Sequence, residues 1–164
     1  MIEIQELSDP EIEAFLQRVS FGHLACSYDD VPYVVPIHFA FADGEIVVYS
    51  TEGKKSEIIA KNPNVCLQAE DITDNHNWES VIVNGTARRI EDATEREAAL
   101  KLIASVNPTL TPAVSIRWMD NWVRENIEVV YRIKPLRTSG RKTASRGDSA
   151  HVFPGGRRSK DTIF

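Results

Sequence analysis

The segment Gly53-Lys54-Lys55-Ser56 follows a run of β-branched residues and places two ammonium groups beside a hydroxyl. A short helix is predicted to begin here and to end at Asn62-Pro63, because the residue before a proline disfavours helix. The first N–H groups of a helix have no partner within it, so together with ammonium groups they bind phosphate well. The segment therefore predicts a phosphate site and points to a phosphorylated cofactor.

The elements that must position this segment are strands. Alternating apolar and polar residues predict six of them, at residues 22–28, 31–41, 45–51, 65–71, 78–90 and 127–133. Turn signals at Asp29-Asp30 and Asp43-Gly44 join neighbouring strands tightly, which indicates antiparallel pairing. Hydrophobic faces with Gly and Pro bends indicate a sheet that curls. The predicted fold class is mainly β, a six-stranded antiparallel barrel with peripheral α-helices.

Proline and glycine mark two irregular places in these strands. Pro32 and Pro36 lie within the second strand, and proline has no N–H to donate to a ladder. That strand must therefore be bulged or lie at an edge near Pro36, where backbone groups stay free for a ligand. Asn84-Gly85 is a hairpin signal on its own, but its flanks favour one long strand that bends at Gly85.

Helices are predicted between and beyond the strands. The first is capped by Asp9, and a later one starts with a capping box at Thr94. A further short helix begins at Thr111-Pro112, and Trp118 and Trp122 belong to a helix before the last strand. Core packing is the default for two tryptophans at this spacing, and a place in the lining of a ligand cleft is the alternative.

Charge divides the chain into two parts. Residues 137–164 hold seven Lys or Arg residues and two Asp residues, a net charge of about +5, which leaves about −10 for residues 1–136. The closing strand is predicted to end before Pro135, and the Gly/Ser/Arg-rich segment beyond it has too few apolar residues for a core. We therefore expect one domain over residues 1–136 and a basic tail over 137–164. A solvated extension is favoured over nucleic-acid binding for this tail.

Membrane spans, signal peptides and metal sites are not predicted. No apolar run approaches the ~20 residues that a membrane span requires, and the N-terminus lacks the basic and apolar regions of a signal peptide. Cys26 and Cys66 lie in apolar strands without a Cys or His at metal-site spacing, so buried free thiols are expected. These features predict a soluble, cytoplasmic protein.

Several short segments occur in an order that resembles a known family. They are Gly22-His23-Leu24-Ala25, Val34-Val35-Pro36-Ile37-His38-Phe39, 43–51, Gly53-Lys54-Lys55, Asn62-Pro63-Asn64-Val65-Cys66 and 78–87. Together they are similar to the FMN-binding split-barrel proteins, and more narrowly to the pyridoxamine 5′-phosphate oxidase-related proteins of the nitroimidazole-resistance type. The resemblance covers about residues 8–135. It implies a six-stranded split barrel, a homodimer, and one FMN in each of two clefts between the subunits.

The cofactor residues of that family map onto matching positions of this chain. By resemblance, the residues that present backbone groups to the edge of the flavin ring are Val35, Pro36, Ile37 and His38. The resemblance assigns the phosphate to Thr51, Lys54 and Lys55, and the neighbourhood of the ribityl chain to Ser50. It also implies that Trp78 and Ser80 approach the flavin, from the same or the other subunit.

Ser50 is a departure from the family pattern, because several relatives have a histidine close to the flavin in this position. Chemistry assigned to that histidine does not carry over to this chain, and no catalytic residue is identified. His38 does not replace it, since strand alternation puts His38 on the face opposite Ile37. A lone histidine in a strand is more often a structural hydrogen-bonding residue.

The implied activity follows from the cofactor. A flavin exchanges hydride or single electrons, while the protein orients it and controls access. The leading interpretation is an FMN-dependent oxidoreductase that passes electrons from a nicotinamide donor to a small organic acceptor, with nitro-aromatic compounds among the candidates. The alternatives are a non-catalytic module that binds a flavin, haem or deazaflavin, and an activity like that of pyridoxamine-phosphate oxidase.

Overall fold

The fold is a curved sheet that closes into a barrel, with helices around it. A computed structural model describes residues 2–108 and 128–144. The strands are β1 (Glu3–Glu6), β2 (Phe21–Tyr28), β3 (Val31–Ala42), β4 (Glu45–Thr51), β5 (Asn64–Asp74), β6 (Asn77–Arg89) and β7 (Glu128–Ala144). The helices are α1 (Asp9–Arg18), α2 (Lys54–Lys61) and α3 (Ala93–Val106). None of these described helices is long and apolar enough to cross a membrane.

The sheet closes because β6 pairs with both β5 and β7. The strand order is β1-β7-β4-β3-β2-β5-β6, so six strands form the barrel and β1 extends it along β7. Every recorded pair is antiparallel. The predicted mainly-β class and the six-stranded antiparallel barrel with peripheral helices are confirmed. The sequence does not predict β1, because its 4 residues are too few to show a period of two.

β7 is longer than the sequence predicts. It continues through Pro135 to Ala144, pairing first with β6 and then also with β1. The register with β6 shifts between Asn84 and Gly85, and Gly85 faces Pro135 at this point. A bulge accommodates a residue without an N–H, so the prediction that the strand ends before Pro135 is wrong. Residues 137–144, assigned from composition to the tail, lie in the sheet, and the rest of that segment lies outside the described residues.

β6 is one strand through Asn84-Gly85, and the predicted bent strand, rather than a hairpin, is confirmed. A Cβ atom at Gly85 would lie 2.5 Å from the carbonyl oxygen of Lys134 and 2.9 Å from Cγ2 of Ile133. Both contacts are closer than a side-chain carbon can approach. Only glycine therefore fits where β6 and β7 come together at the register shift.

Two apolar clusters hold the strands and helices together. Inward-facing residues of the six barrel strands fill the barrel, and α1 adds Ile12, Phe15 and Leu16. A second cluster lies between α3 and the outer face of β3, β4 and β7. The helix α3 therefore covers the outer face of β3 near Ala40, where β3 pairs with β4. Cys26 is buried in the barrel and Cys66 is half-buried, and both are free thiols.

Two helix starts differ from the sequence prediction. Ser8, rather than Asp9, is the N-cap of α1, and its N–H and hydroxyl both donate to the Glu11 carboxylate. Asp92, rather than Thr94, caps α3 by accepting a hydrogen bond of 2.8 Å from the N–H of Glu95. Ser, Thr and Asp are similarly good N-caps, so neighbouring candidates compete. The helix predicted at residues 111–112 lies outside the described residues.

Candidate functional site

β3 has one edge that is only partly paired. β2 pairs with its other edge from Val31 to His38. β4 pairs with β3 only from His38 to Ala42, so residues 31–37 have no second strand beside them in the described chain. The prediction of an edge near Pro36 is confirmed. Backbone N–H and C=O groups on this side, which we call the free edge of β3, can bind a ligand.

Side chains of β3 alternate between the barrel interior and the outer face. Ile37 is 2% exposed and lies in the barrel core, and Val35 packs against the same cluster. Pro36 and His38 therefore point to the outer face, as strand alternation predicts for His38. The backbone of residues 35–38 lies where the free edge meets the start of the β4 ladder.

The His38 imidazole has a buried Nδ1 atom without a hydrogen-bond partner. Its ring stands edge-on to Phe21, with the centroids 5.4 Å apart and the planes at 69°. Tyr49 of β4 faces His38 across the ladder. The structure gives Nδ1 no structural hydrogen bond, contrary to the role that the sequence favours for this histidine.

α2 begins beside the free edge of β3. Gly53 is its N-cap, with a φ of 152°. The Ser56 hydroxyl accepts a hydrogen bond of 2.9 Å from the Gly53 N–H and donates one of 2.8 Å to the Gly53 carbonyl oxygen. Lys54 is exposed, and its Nζ lies 5.1 Å from the centroid of the Tyr33 ring. Because Tyr33 belongs to the free edge of β3, the exposed ammonium group and the helix start lie next to that edge.

Lys55 has a different environment from Lys54. It is 6% exposed, and its Nζ donates hydrogen bonds to the Ser50 hydroxyl and, at 3.3 Å, to the carbonyl oxygen of Thr51. Burial lowers the pKa of the Lys55 ammonium group. The two ammonium groups therefore do not form a surface pair, because successive residues of a helix point about 100° apart.

A third cation, Arg89, lies at the same end of the barrel. It forms an ion pair with Glu52, in the connection between β4 and α2. The neighbouring side chains of Ser56 and Arg89 lower the pKa of the Glu52 carboxyl group. Thr51, the last residue of β4, is half-buried. Arg89 and Tyr33 were missed by sequence reasoning, because β6 and β3 supply them from positions remote from the lysine motif.

Trp78 and Ser80 lie at the start of β6 and on its outer face, because the alternate positions Val81 and Val83 are fully buried in the barrel. β2 and β5 separate β6 from β3. Three interstrand steps of about 4.8 Å make a separation of about 14 Å within the sheet. The structure thus brings the β4 end, the α2 start and the free edge of β3 together, but it does not bring Trp78 and Ser80 to them within one chain.

The outer surface of β3, β2, β5 and β6, which we call the open face, extends from the free edge of β3 to Trp78 and Ser80 on β6. Its rows in register are Val34, Ala25, Cys66 and Asn84, then Pro36, His23, Gln68 and Ile82. Val34 is 61% exposed, and Phe21 and Ile82 of the same face are exposed as well. Large apolar side chains that share an exposed face indicate contact with another molecule.

Two cavities border Trp78 and Ser80. One, of about 530 Å³, also includes Ile82 and Arg141 in its lining. The other, of about 330 Å³, also includes Ile72. Both volumes suit part of a small ligand. The other predicted cleft residues, Trp118 and Trp122, lie outside the described residues.

Comparisons with known proteins agree with this fold. The model of a family described as pyridoxamine 5′-phosphate oxidase matches residues 8–142. A crystal structure of an FAD-binding protein from Mesorhizobium loti has a TM-score of 0.70 and 28% identity, covering 88% of this chain and 100% of that chain. A candidate 5-nitroimidazole antibiotic resistance protein from Bacteroides thetaiotaomicron has a TM-score of 0.63 and 19% identity, covering 87% and 91%.

One curated relative is similar over part of its length. It is an uncharacterised protein of Rhizobium meliloti (strain 1021), 33% identical over 82 residues. That match spans 50% of this chain and 54% of the Rhizobium protein, about half of each. At 19% identity the Bacteroides likeness shows the fold alone, and that fold is the split barrel implied by the motifs.

Proposed function

The chain belongs to the pyridoxamine 5′-phosphate oxidase-related family, and on that premise we propose that it is an FMN-dependent oxidoreductase acting as a homodimer. It takes electrons from a nicotinamide donor and passes them to a small organic acceptor, with nitro-aromatic compounds as candidates. The supporting observation is the position of the exposed Lys54 and the α2 start beside the free edge of β3. A phosphate site and a row of unpaired backbone groups then lie next to each other.

The phosphate end of the cofactor suits the start of α2. The unpaired N–H groups of its first turn attract an anion, and the exposed Lys54 adds a full positive charge. Thr51 and Arg89 lie at the same end and complete the group of candidate ligands. Lys55, held by Ser50 and the Thr51 carbonyl, supports the backbone of this turn from inside the barrel.

The ring end of the cofactor suits the free edge of β3. Backbone groups of residues 35–37, at the free edge of β3, offer donors and acceptors to a flat heteroaromatic ring, and Ile37 anchors this stretch in the core. When bound, FMN supplies hydride and one-electron exchange. The protein's own part is to bind the ring, orient it and limit the access of water. Ser50 is already bonded to Lys55, so this position supplies no titrating acid or base.

The open face supports the homodimer. It presents exposed Val34, Phe21 and Ile82 on one side of the barrel, and a second copy is the occupant that the family fold favours. Trp78 and Ser80 lie about 14 Å from β3 in the sheet of their own chain. In a face-to-face dimer they meet the β3 edge of the partner instead. We therefore assign them to the cofactor site of the other subunit.

An activity assay tests this function. The FMN-loaded protein is given NADH or NADPH with a panel of quinones and nitro-aromatic compounds, and donor oxidation is followed. Turnover that depends on FMN and on an acceptor supports the oxidoreductase. Absence of turnover with every pair, in a protein that binds FMN, contradicts it.

A binding module without turnover is the second candidate. It is favoured by one observation, the serine at position 50, which is bonded to Lys55 instead of offering an imidazole to the site. The same assay distinguishes this module from the oxidoreductase, because a flavin carrier binds FMN but does not oxidise the nicotinamide donor. Titrations with FAD, a deazaflavin and haem identify the cofactor of such a module, since each absorbs at its own wavelengths.

A further inference from the structure

A row of side chains crosses four strands where β7 ends. Ile4 of β1 lies opposite Thr143 of β7, and the Thr143 hydroxyl accepts a hydrogen bond of 3.1 Å from the N–H of Trp78. Trp78 in turn lies opposite Ile72 of β5. Ile4 and Ile72 are 60% and 59% exposed. Apolar side chains exposed on a shared surface indicate contact with another segment or molecule, and we call this row the end patch.

Carboxylates accompany the end patch. Glu6 is two residues from Ile4 along β1, and Glu70 is two residues from Ile72 along β5, so strand alternation puts both on the same side of the sheet as the row. Asp74 lies beyond the row, at the end of β5. Among the described residues, none of these three carboxylates forms an ion pair with a lysine or an arginine.

The charged groups beside the end patch have a negative sum. Arg141 lies opposite Glu6 on β7 and adds one positive charge to the three negative ones, which leaves about −2. The other side of the β5–β6 hairpin differs, because Arg18 there pairs with both Asp71 and Glu79. The end patch is therefore the side of the hairpin on which negative charge remains.

A cavity of about 330 Å³ lies in the end patch. Ile72 and Trp78 give it apolar walls, and Glu70, Asp74 and the paired Glu79 add carboxylates to its lining. A cavity of this size holds one large side chain. Its lining favours an apolar residue that has basic residues close to it in sequence.

The chain beyond β7 has the complementary composition. Residues 145–164 contain four Lys or Arg residues and two Asp residues, a net charge of about +2. Within this segment Phe153 is followed by Arg157 and Arg158. A large apolar side chain with two nearby guanidinium groups matches the apolar and acidic lining of the cavity.

The segment also starts next to the end patch. Ala144 is the last residue of β7 and follows Thr143 directly, so the chain leaves the sheet at the edge of the row. Nine residues lead from Ala144 to Phe153 and span up to about 30 Å. Ile72 lies two interstrand steps from β7, or about 10 Å. The cavity is therefore within reach of Phe153 of the same chain.

We propose that residues 145–164 dock on the end patch of their own chain, with Phe153 in the cavity and Arg157 and Arg158 beside its carboxylates. Burial of the phenylalanine ring supplies most of the binding free energy, since exposed ion pairs contribute little. The covalent link keeps the effective concentration of the segment high, so the same chain is favoured over another as its source. This inference uses neither the free edge of β3 nor α2 and is independent of the cofactor.

Limited digestion of the full-length protein with trypsin tests the docking. Trypsin cleaves after Arg157 and Arg158, and docking protects these bonds. Phe153→Ser and Ile72→Ser should each speed cleavage there about fivefold to tenfold, because cleavage follows the population of the released segment. Val31→Ser, at an apolar strand residue that is 57% exposed, is the matched control and should stay within about twofold of the wild type. Cleavage at the wild-type rate in both Phe153→Ser and Ile72→Ser overturns the docking.

Methyl NMR of Ile72 gives a second readout that needs no digestion. A phenylalanine ring in the cavity shifts the signal of a methyl group beside it, so Phe153→Ser should move the Ile72 signal. Phe164→Ser, at the other phenylalanine of the segment, is the control and should leave the signal in place. An Ile72 signal that Phe153→Ser does not move overturns the inference.

Isotope mixing identifies the chain that supplies the segment. Phe153→Ser protein with ¹³C-labelled isoleucine methyl groups is co-refolded with an excess of unlabelled wild type. Because the labelled chains have no Phe153 of their own, their Ile72 signal should stay at the variant position. Its return to the wild-type position would overturn docking within one chain. None of these measurements requires FMN, so their failure leaves the proposed function standing.

Discussion

Ser50 accepts a hydrogen bond from the buried ammonium group of Lys55, and this contact joins the end of β4 to the first turn of α2. The neighbouring Lys54 is exposed beside Tyr33. Two lysines that are adjacent in sequence thus have different environments. Lys55 is hydrogen-bonded to the turn from the buried side, and Lys54 is the exposed lysine that we propose for the phosphate.

Ser50→Ala tests the internal contact. The substitution removes one of the two acceptors of Lys55, whose ammonium group is buried and cannot turn to water. We expect the free energy of unfolding to fall by about 1.5–3 kcal/mol, the range for a hydrogen bond to a charged group. Urea unfolding measures this. Ser139→Ala, at an exposed serine of β7, is the control and should change little. Equal stability of Ser50→Ala and wild type would show that the contact is not made.

A mixture of two variants tests the composition of the site. Lys54→Met removes the phosphate cation of one subunit, and Trp78→Ala removes the contact that the other subunit supplies. Each homodimer then lacks an intact site. Random exchange of subunits makes half of the dimers mixed, and each mixed dimer has one intact site, so about a quarter of all sites should recover tight FMN binding. Equilibrium titration of the co-refolded mixture measures this fraction. No recovery means that both residues act in the same subunit.

The ionised Glu11 carboxyl group contributes to the free energy of unfolding, and we expect this contribution to be lost in acid. A hydrogen bond from Lys142, followed by those from Ser8, lowers the pKa of the Glu11 carboxyl group from 4.5 to about 2. The folded state protonates Glu11 less readily than the unfolded state does. The contribution of Glu11 to the free energy of unfolding is therefore complete at pH values above the pKa of the unfolded state. It is lost as the pH falls from about 4.5 to about 2. Since the Glu11 side chain is 43% exposed, solvent screening limits the contribution to about 1 kcal/mol or less.

The measurement compares wild type with Glu11→Gln in urea unfolding across this pH range. The wild type should be the more stable protein at about pH 7, and the difference should shrink towards zero at about pH 2. Glu13→Gln, at an exposed residue of the same helix, should show no such dependence. A difference between wild type and Glu11→Gln that stays constant with pH would contradict the ion pair with Lys142.

Gly85→Ala tests the bulge through which β7 passes Pro135. The added Cβ would meet the Lys134 carbonyl oxygen at 2.5 Å, so the backbone of β6 or β7 must move. We expect a loss of about 3 kcal/mol, at the upper end of the cost of overpacking. Asn84→Ala, at the exposed neighbour on the same strand, should stay within about 0.5 kcal/mol of the wild type. Thermal unfolding that gives both variants the same stability would exclude a close approach of the two strands at Gly85.

Strand positions and the free edge of β3 follow from local chemistry and could be predicted. Period-two alternation marks the barrel strands because each has one face in the core. Pro36 signals an edge because proline cannot donate to a ladder, and the β4 ladder indeed stops at His38. The family motifs added the split-barrel fold, which the family model and the fold confirm.

Other features depend on contacts between distant residues, and no local pattern reveals them. Pro135 is tolerated within β7 because Gly85 on another strand permits a register shift there. The direction of Lys55 depends on Ser50 and on the space inside the barrel, so two lysines that look equivalent in sequence separate in the fold. The observed N-caps are Ser8 and Asp92 instead of the predicted Asp9 and Thr94, because several good capping residues lie close together in the sequence.

A titration of FMN into the wild-type protein and into Lys54→Met tests the cofactor site most directly. Flavin fluorescence and thermal unfolding should show one FMN for each subunit of the wild type and a higher melting temperature with FMN. Lys54→Met should raise the Kd about tenfold by removing a charged contact. Lys61→Met is the matched control, because Lys61 also lies on α2 beside a tyrosine ring, at 4.8 Å from Tyr28. A wild-type protein that neither binds FMN nor gains thermal stability from it would contradict the assignment of a flavin site to this barrel.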